Sequence, residues 1–247
     1  MSTTARRAAI VVPLLLAGLG LSACGVAEQQ IRPGVAAVVD GTDISADDVD
    51  RNVDGTCDFL DSQPDALSFP RVTVRRLLVE TLVREEAARR LVDDLDVELP
   101  EEYDDQIAGI DLAYAEAPDD QAEAMRTGDK ASTYVALAGR AIGDALLREE
   151  SGSEPGNPEL IAARGAEAIE EWIADNDVEL NPTYGLGLDG GTFVAVDGLS
   201  VPASSGAVFA QGVADIDINA QDAALGEAIN DAAAELPATQ VCGPTAG

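Results

Sequence analysis

The 247-residue chain contains no histidine. Ser-His-Asp and Cys-His nucleophiles, His-ligated zinc and His-based pH switching are therefore excluded together. The remaining soft nucleophiles are Cys24, Cys57 and Cys242, and the remaining titratable chemistry is carboxylate, with 46 acidic residues against 15 basic ones. So many acids guarantee pairs by chance, and no spacing marks one as an acid–base dyad. One run has ligand spacing. From Asp50 to Asp61, oxygen donors stand at Asp50, Asn52, Asp54, Asp58 and Asp61, with Gly55 at the sixth position. This matches much of a calcium loop, in which the glycine permits a sharp turn. The competing reading is a helix begun at Ser45 that continues through the run, with Val53 at the fourth position and the shorter Asp in place of the closing Glu. A second start, Asp215-Ile-Asp217-Ile-Asn219, has Ala220 and Gly226 where Gly and Glu are needed and reads as a short strand. Gly185 to Gly191 lacks the Lys and Ser/Thr of a phosphate loop and reads as a turn. The expectation is a protein without catalysis and without a cofactor.

The first residues have the layout of an export signal. Arg6 and Arg7 form a positive flank, an apolar run extends from Ala8 to Leu21, and the small residues Ser22 and Ala23 precede Cys24. The run is shorter than the roughly 18 apolar residues of a stable membrane span, and Pro13, Gly18 and Gly20 fall inside it. Leu21-Ser-Ala-Cys24-Gly25 resembles the lipobox of bacterial lipoproteins. The resemblance implies cleavage before Cys24 and a diacylglycerol on its thiol, and two acyl chains make a stable anchor where one does not. The implied location is the extracytoplasmic face of the cell membrane. With Cys24 lipidated, Cys57 and Cys242 remain as an even pair in an oxidising compartment, which reads as a disulfide; two unpaired apolar thiols are the alternative.

Residues 1–23 carry two arginines and no acid, so their removal takes the formal charge from −31 to −33. That charge opposes binding to nucleic acid or bare anionic lipid, because phosphate contact needs clustered Lys and Arg. Aromatic residues make up only 4% of the chain, so the core must come from Leu, Val, Ile and Ala, which suits packed helices.

The elements that must position any site follow from local pattern. Residues 24–33 read as a tether. Gly34 to Val39 is β-prone, Asp40-Gly41 is a two-residue hairpin signal, and Thr42 to Ile44 forms the return strand. Ser45 with Asp48 can cap a helix carrying Val49 and Val53. Pro70 opens a helix to about Leu95, with Val74, Leu77, Leu78, Leu82, Leu91 and Leu95 on one face and acid-before-base pairs at i,i+4. A helix from Pro100 to about Met125 would place Tyr103, Ile107, Ile110 and Tyr114 together, and another is expected from about Ala131 to Glu149. After a loop at Ser151 to Pro158 come a helix from Leu160 to Ala174 and a strand from Val178 to Leu180. Beyond it lie a β-prone run from Phe193 to Val196, a loop from Ser200 to Gly206 and a helix from about Asp222 to Ala234.

Two of these segments resemble the ends of the SurA-type and PrsA-type N-terminal chaperone domain. Val35-Ala-Ala-Val-Val-Asp-Gly-Thr-Asp-Ile-Ser45 looks like its opening strand, turn, strand and helix start. Val178-Glu-Leu-Asn-Pro-Thr-Tyr-Gly185 looks like its closing strand and Asn-Pro-x-Tyr/Phe-Gly element, with Thr183 where an Arg is common. The implied fold is mainly α, a helical SurA-N-like domain over 34–185 whose N-terminal hairpin pairs with a strand near the end of the helical body. Residues 186–247 would then be a Gly/Ala/Asp-rich extension. The implied activity is ATP-independent holding of unfolded or nascent exported proteins, without the parvulin prolyl isomerase domain that many relatives carry. Leu78, Leu82, Ile107, Ile110, Tyr114 and Trp172 are the candidate peptide-binding residues. A structural or scaffold lipoprotein of the envelope and a calcium-dependent envelope protein are the alternatives.

Overall fold

The structure, a computed structural model, describes residues 32–152, 156–196 and 233–244. The expected signal, Cys24 and most of the tether lie outside the described residues, as do the loop at Ser200, the strand at Asp215 and most of the helix from Asp222. What is described is mainly helical, with a few short antiparallel strands.

Strand β1 (Val35–Val39) turns at Asp40-Gly41 into β2 (Thr42–Ser45). Both turn residues have positive φ, 47° and 81°, as the tight hairpin requires. Ser45 ends the strand and starts α1 (Ala46–Asp61), accepting a hydrogen bond from the Asp48 N–H at 3.3 Å. After β3 (Phe69–Pro70), α2 (Arg71–Leu95) buries Leu78, Val79, Val83, Ala87 and Ala88 along one stripe. Its outer face carries the ion pairs Glu80–Arg84, Glu85–Arg89 and Glu86–Arg90. Asp96, with φ 51°, stops this helix in the left-handed conformation.

Where one helix from Pro100 to Met125 was expected, the chain forms α3 (Glu102–Ala113) and α4 (Asp119–Ser151). Pro118 makes the break, because a proline disfavours helical geometry in the residue before it while suiting a helix start itself. Conversely, the expected interruption between Met125 and Ala131 is absent, and α4 runs straight through Gly128. Helix α5 (Pro158–Asp175) begins at Asn157, whose side chain accepts from the N–H groups of Glu159 and Leu160.

Strand β4 (Val178–Leu180) returns to the start of the chain and pairs with β1, giving the sheet order β2-β1-β4. As the central strand, β1 has both faces covered, and Ala36, Ala37, Val38 and Val39 are all buried. Asn181 sews the junction. Its backbone N–H donates to the Ala36 carbonyl, its Nδ2 donates to the Val35 carbonyl at 2.7 Å, and its Oδ1 accepts from the Thr183 N–H. Arg76 of α2 is buried and donates through Nε to the Tyr184 carbonyl at 3.1 Å, fixing the turn that ends at Gly185.

The body extends past the expected boundary at residue 185. Strands β5 (Leu186–Asp189) and β6 (Thr192–Ala195) form a hairpin over Gly190-Gly191, so the glycine-rich run is half strand and half turn. Leu186, Leu188 and Phe193 join the main core with Val49, Val53, Val79, Val83, Ile142, Ile169, Trp172 and Ile173. Strand β7 (Val241–Cys242) pairs with β3, and its Cys242 is joined to Cys57 of α1 in a disulfide with Cα atoms 4.3 Å apart. The pairing expected from cysteine number and export is formed, and both cysteines are buried.

Helices α4 and α5 cross with almost nothing between their backbones. Gly139 and Gly143 of α4 meet Gly165 of α5, and a Cβ on Gly165 would run into the Gly139 carbonyl. No helix among the described residues is long and apolar enough to cross a membrane.

Candidate functional site

The acidic run does not form a calcium loop. Asp50 to Asp61 is continuous helix in α1, which places Asp50, Asp54, Asp58 and Asp61 on one stripe and turns Asn52 away from it. Asp50 pairs with Arg75 at 2.9 Å, and Asp54 pairs with Arg71. Asp61 Oδ1 accepts from the Gly243 N–H at 2.7 Å, while Asn52 donates to its own helix at the Asp48 carbonyl. The stripe therefore docks α2 and the C-terminal strand. Gly55, which suggested a turn, is a packing glycine whose Cβ would stand 2.7 Å from the Asp120 carbonyl oxygen. Among the described residues no three acids or cysteines are gathered as a metal site would need.

The six candidate peptide-binding residues divide between core and one helix. Leu78 and Trp172 are buried, and Leu82 packs against the same core, so these three hold the body together. Ile107, Ile110 and Tyr114 lie half-buried on α3 and at its end, a helix that packs on α4 and has no fully buried residue. Tyr114 is committed to structure. Its ring stands edge-on to Phe59, and its hydroxyl donates to Asp129 Oδ2 at 2.6 Å. Burial, then the hydrogen bond to Asp129 and that carboxylate's charge, push the phenol up to about 12. Leu112, two residues before Tyr114, is 77% exposed.

Among the described residues, an open groove lies on another stripe. Arg140, Ala141, Asp144, Ala145 and Arg148 follow each other at helical spacing along α4 and floor a groove of about 530 Å³. One wall is the α2–α3 connector with the start of α3, contributing Val97, Glu98, Pro100 and Glu102. The other is the start of α5, with Pro158 and Ile161. Each wall is held for a local reason: Asp96 aims the connector out of α2, Asn157 caps α5, and the glycine crossing brings α5 against α4. Arg140 reaches Glu102 at 2.7 Å and ties α3 to α4, while Arg148 reaches Asp144 at 2.9 Å. Ala141 and Ala145 make the floor shallow and give it an apolar strip, alongside the charged Arg140, Asp144 and Arg148. Such a surface can bind an extended apolar segment by contact, with polar groups at the rim to fix its direction.

None of these groove residues was among the sequence candidates. The available signal was a pair of alanines four apart on α4, bracketed by Arg140, Asp144 and Arg148. It acquires meaning only once the connector and α5 are known to flank it.

Comparison with protein-family models, with curated proteins and with solved structures gives no match to this chain.

Proposed function

We propose that this chain is a lipid-anchored, extracytoplasmic holder of unfolded or nascent exported polypeptides, built on a SurA-N-like domain and acting without ATP or catalysis. The observation that carries the reading is the groove along α4, where Ala141 and Ala145 lie open at the surface between the α2–α3 connector and the start of α5. The β2-β1-β4 sheet supports the family part of the reading, since the closing segment ending in Asn181-Pro-Thr-Tyr-Gly185 returns to the opening hairpin. Lipidation of Cys24 belongs to the same proposal and rests on the lipobox resemblance.

The groove takes over the binding role first sought at Leu78 and Trp172, which the core occupies. A peptide lying on Ala141 and Ala145 would be flanked by Val97 and Pro100 on one side and Ile161 on the other. The calcium-dependent alternative loses its ligand geometry with the helical course of α1. The scaffold alternative draws support from the ion-paired faces of α1 and α2, where charges are already matched within the fold.

The test uses the full mature chain with Cys24→Ser. At micromolar concentration it is expected to slow aggregation of a chemically unfolded client and to bind unstructured apolar peptides saturably. Absence of both effects would sink the reading in favour of a scaffold.

A further inference from the structure

The charges around the groove are not balanced, and the imbalance selects a class of client. Both groove arginines are already neutralised, Arg140 by Glu102 and Arg148 by Asp144. Glu98 lines the same groove with no ion-pair partner among the described residues, and its exposed neighbours in the connector are Asp96 and Glu101. A bound segment therefore meets a floor of two alanines and already paired charges, and a connector wall whose uncompensated charge is negative. The wider field has the same sign, since the whole chain carries a formal charge of −31.

Resting on the groove as the peptide site, we infer that the preferred client is a short apolar segment flanked by Lys or Arg, and that acid-flanked segments are rejected. The alanines let an extended backbone approach α4 closely, the apolar side chains cover Val97, Pro100 and Ile161, and a flanking cation stands over Glu98. Rim charges of this kind act on encounter and on discrimination between partners more than on the total contact. An acidic flank meets only repulsion there, because no arginine of the groove is left to receive it. Such discrimination is salt-sensitive, since the rim is exposed and the Debye length falls from about 10 Å at 0.1 M to about 3 Å at 1 M.

The experiment titrates three fluorescent peptides that share one apolar core and differ only in flanks of Arg, Ser or Glu against the full mature chain with Cys24→Ser. The Arg-flanked peptide is expected to bind about tenfold more tightly than the Glu-flanked one at low salt, with Ser between. The ratio should shrink several-fold in high salt. Glu98→Lys is expected to collapse that ratio, whereas Asp189→Lys, the same charge change on the distant β5–β6 hairpin, should leave most of it. Equal binding of all three peptides would overturn the inference and leave the holding function standing. A ratio lowered as much by Asp189→Lys as by Glu98→Lys would equally overturn the assignment to the groove. Failure of all three peptides to bind would overturn the groove as a peptide site and the inference with it.

Discussion

Replacing Gly165 with alanine places one methyl group at the α4–α5 crossing, where the Gly139 carbonyl already lies. In an open helix position the exchange stabilises, because glycine costs roughly 0.5–1 kcal/mol relative to alanine. Here the obstacle is backbone and cannot rotate aside, so the two helices must part. Overpacking of this kind typically costs about 1–3 kcal/mol. Set against the propensity gain, the net loss should be about 1 kcal/mol, or roughly 2–4 °C in melting temperature for a chain of this size. Gly128→Ala is the matched control, since it lies in α4 with nothing within 4 Å of the added Cβ. It should gain up to about 1 kcal/mol. Thermal and urea unfolding followed by far-UV circular dichroism measure both. Because Pro158 and Ile161 of α5 form a wall of the groove, Gly165→Ala should also weaken peptide binding. A Gly165→Ala variant as stable as Gly128→Ala would refute the close crossing and the groove geometry that depends on it.

The disulfide closes a separation of 185 residues, worth about 5 kcal/mol in the chain-entropy picture. Cys57→Ser should therefore lower the melting temperature by about 10–20 °C. Since Cys57 and Cys242 are 4% and 0% exposed, reductant should act on the native protein only after it opens, as thiol-labelling rates would show. Tyr114 makes a pH prediction. Its phenol is raised to about 12, so its stabilising hydrogen bond to Asp129 is fully present below the unfolded value near 10 and is lost as pH rises from there through 12. Tyr114→Phe should remove the last-ionising component from the alkaline absorbance titration and cost about 0.5–1.5 kcal/mol at neutral pH. Ala145→Phe fills the half-open floor of the groove without entering the core. It should weaken peptide binding about tenfold, equivalent to about 1.4 kcal/mol, while unfolding shifts little.

Much of the fold is written in local sequence. Asp40-Gly41 specifies its turn because only residues tolerant of positive φ fit both central positions, and Ser45 supplies the oxygen that α1 needs at its first turn. The acid-before-base pairs and leucine stripe of α2 are equally local. The division into α3 and α4 was misplaced: the break falls before Pro118, and packing on α1 and α5 carries α4 through Gly128. Strands β3 and β7 have two residues each, too few for periodicity to act on. Gly55 shows the deeper limit: the same residue serves a calcium loop or a tight helix contact, and only the presence of Asp120 and Ala124 beside it decides. The groove was illegible for a related reason. Its residues come from 97–102, 140–148 and 158–161, three stretches brought together only by the tertiary fold.

The groove's role is tested most directly by backbone-amide chemical-shift mapping of the full mature chain, with Cys24→Ser, during titration with an apolar, Arg-flanked peptide. The account predicts saturable shifts centred on Ala141, Ala145, Ile161 and the connector around Val97 and Glu98, with the β5–β6 hairpin unmoved. No saturable change, or changes confined to surfaces away from α4, would contradict it.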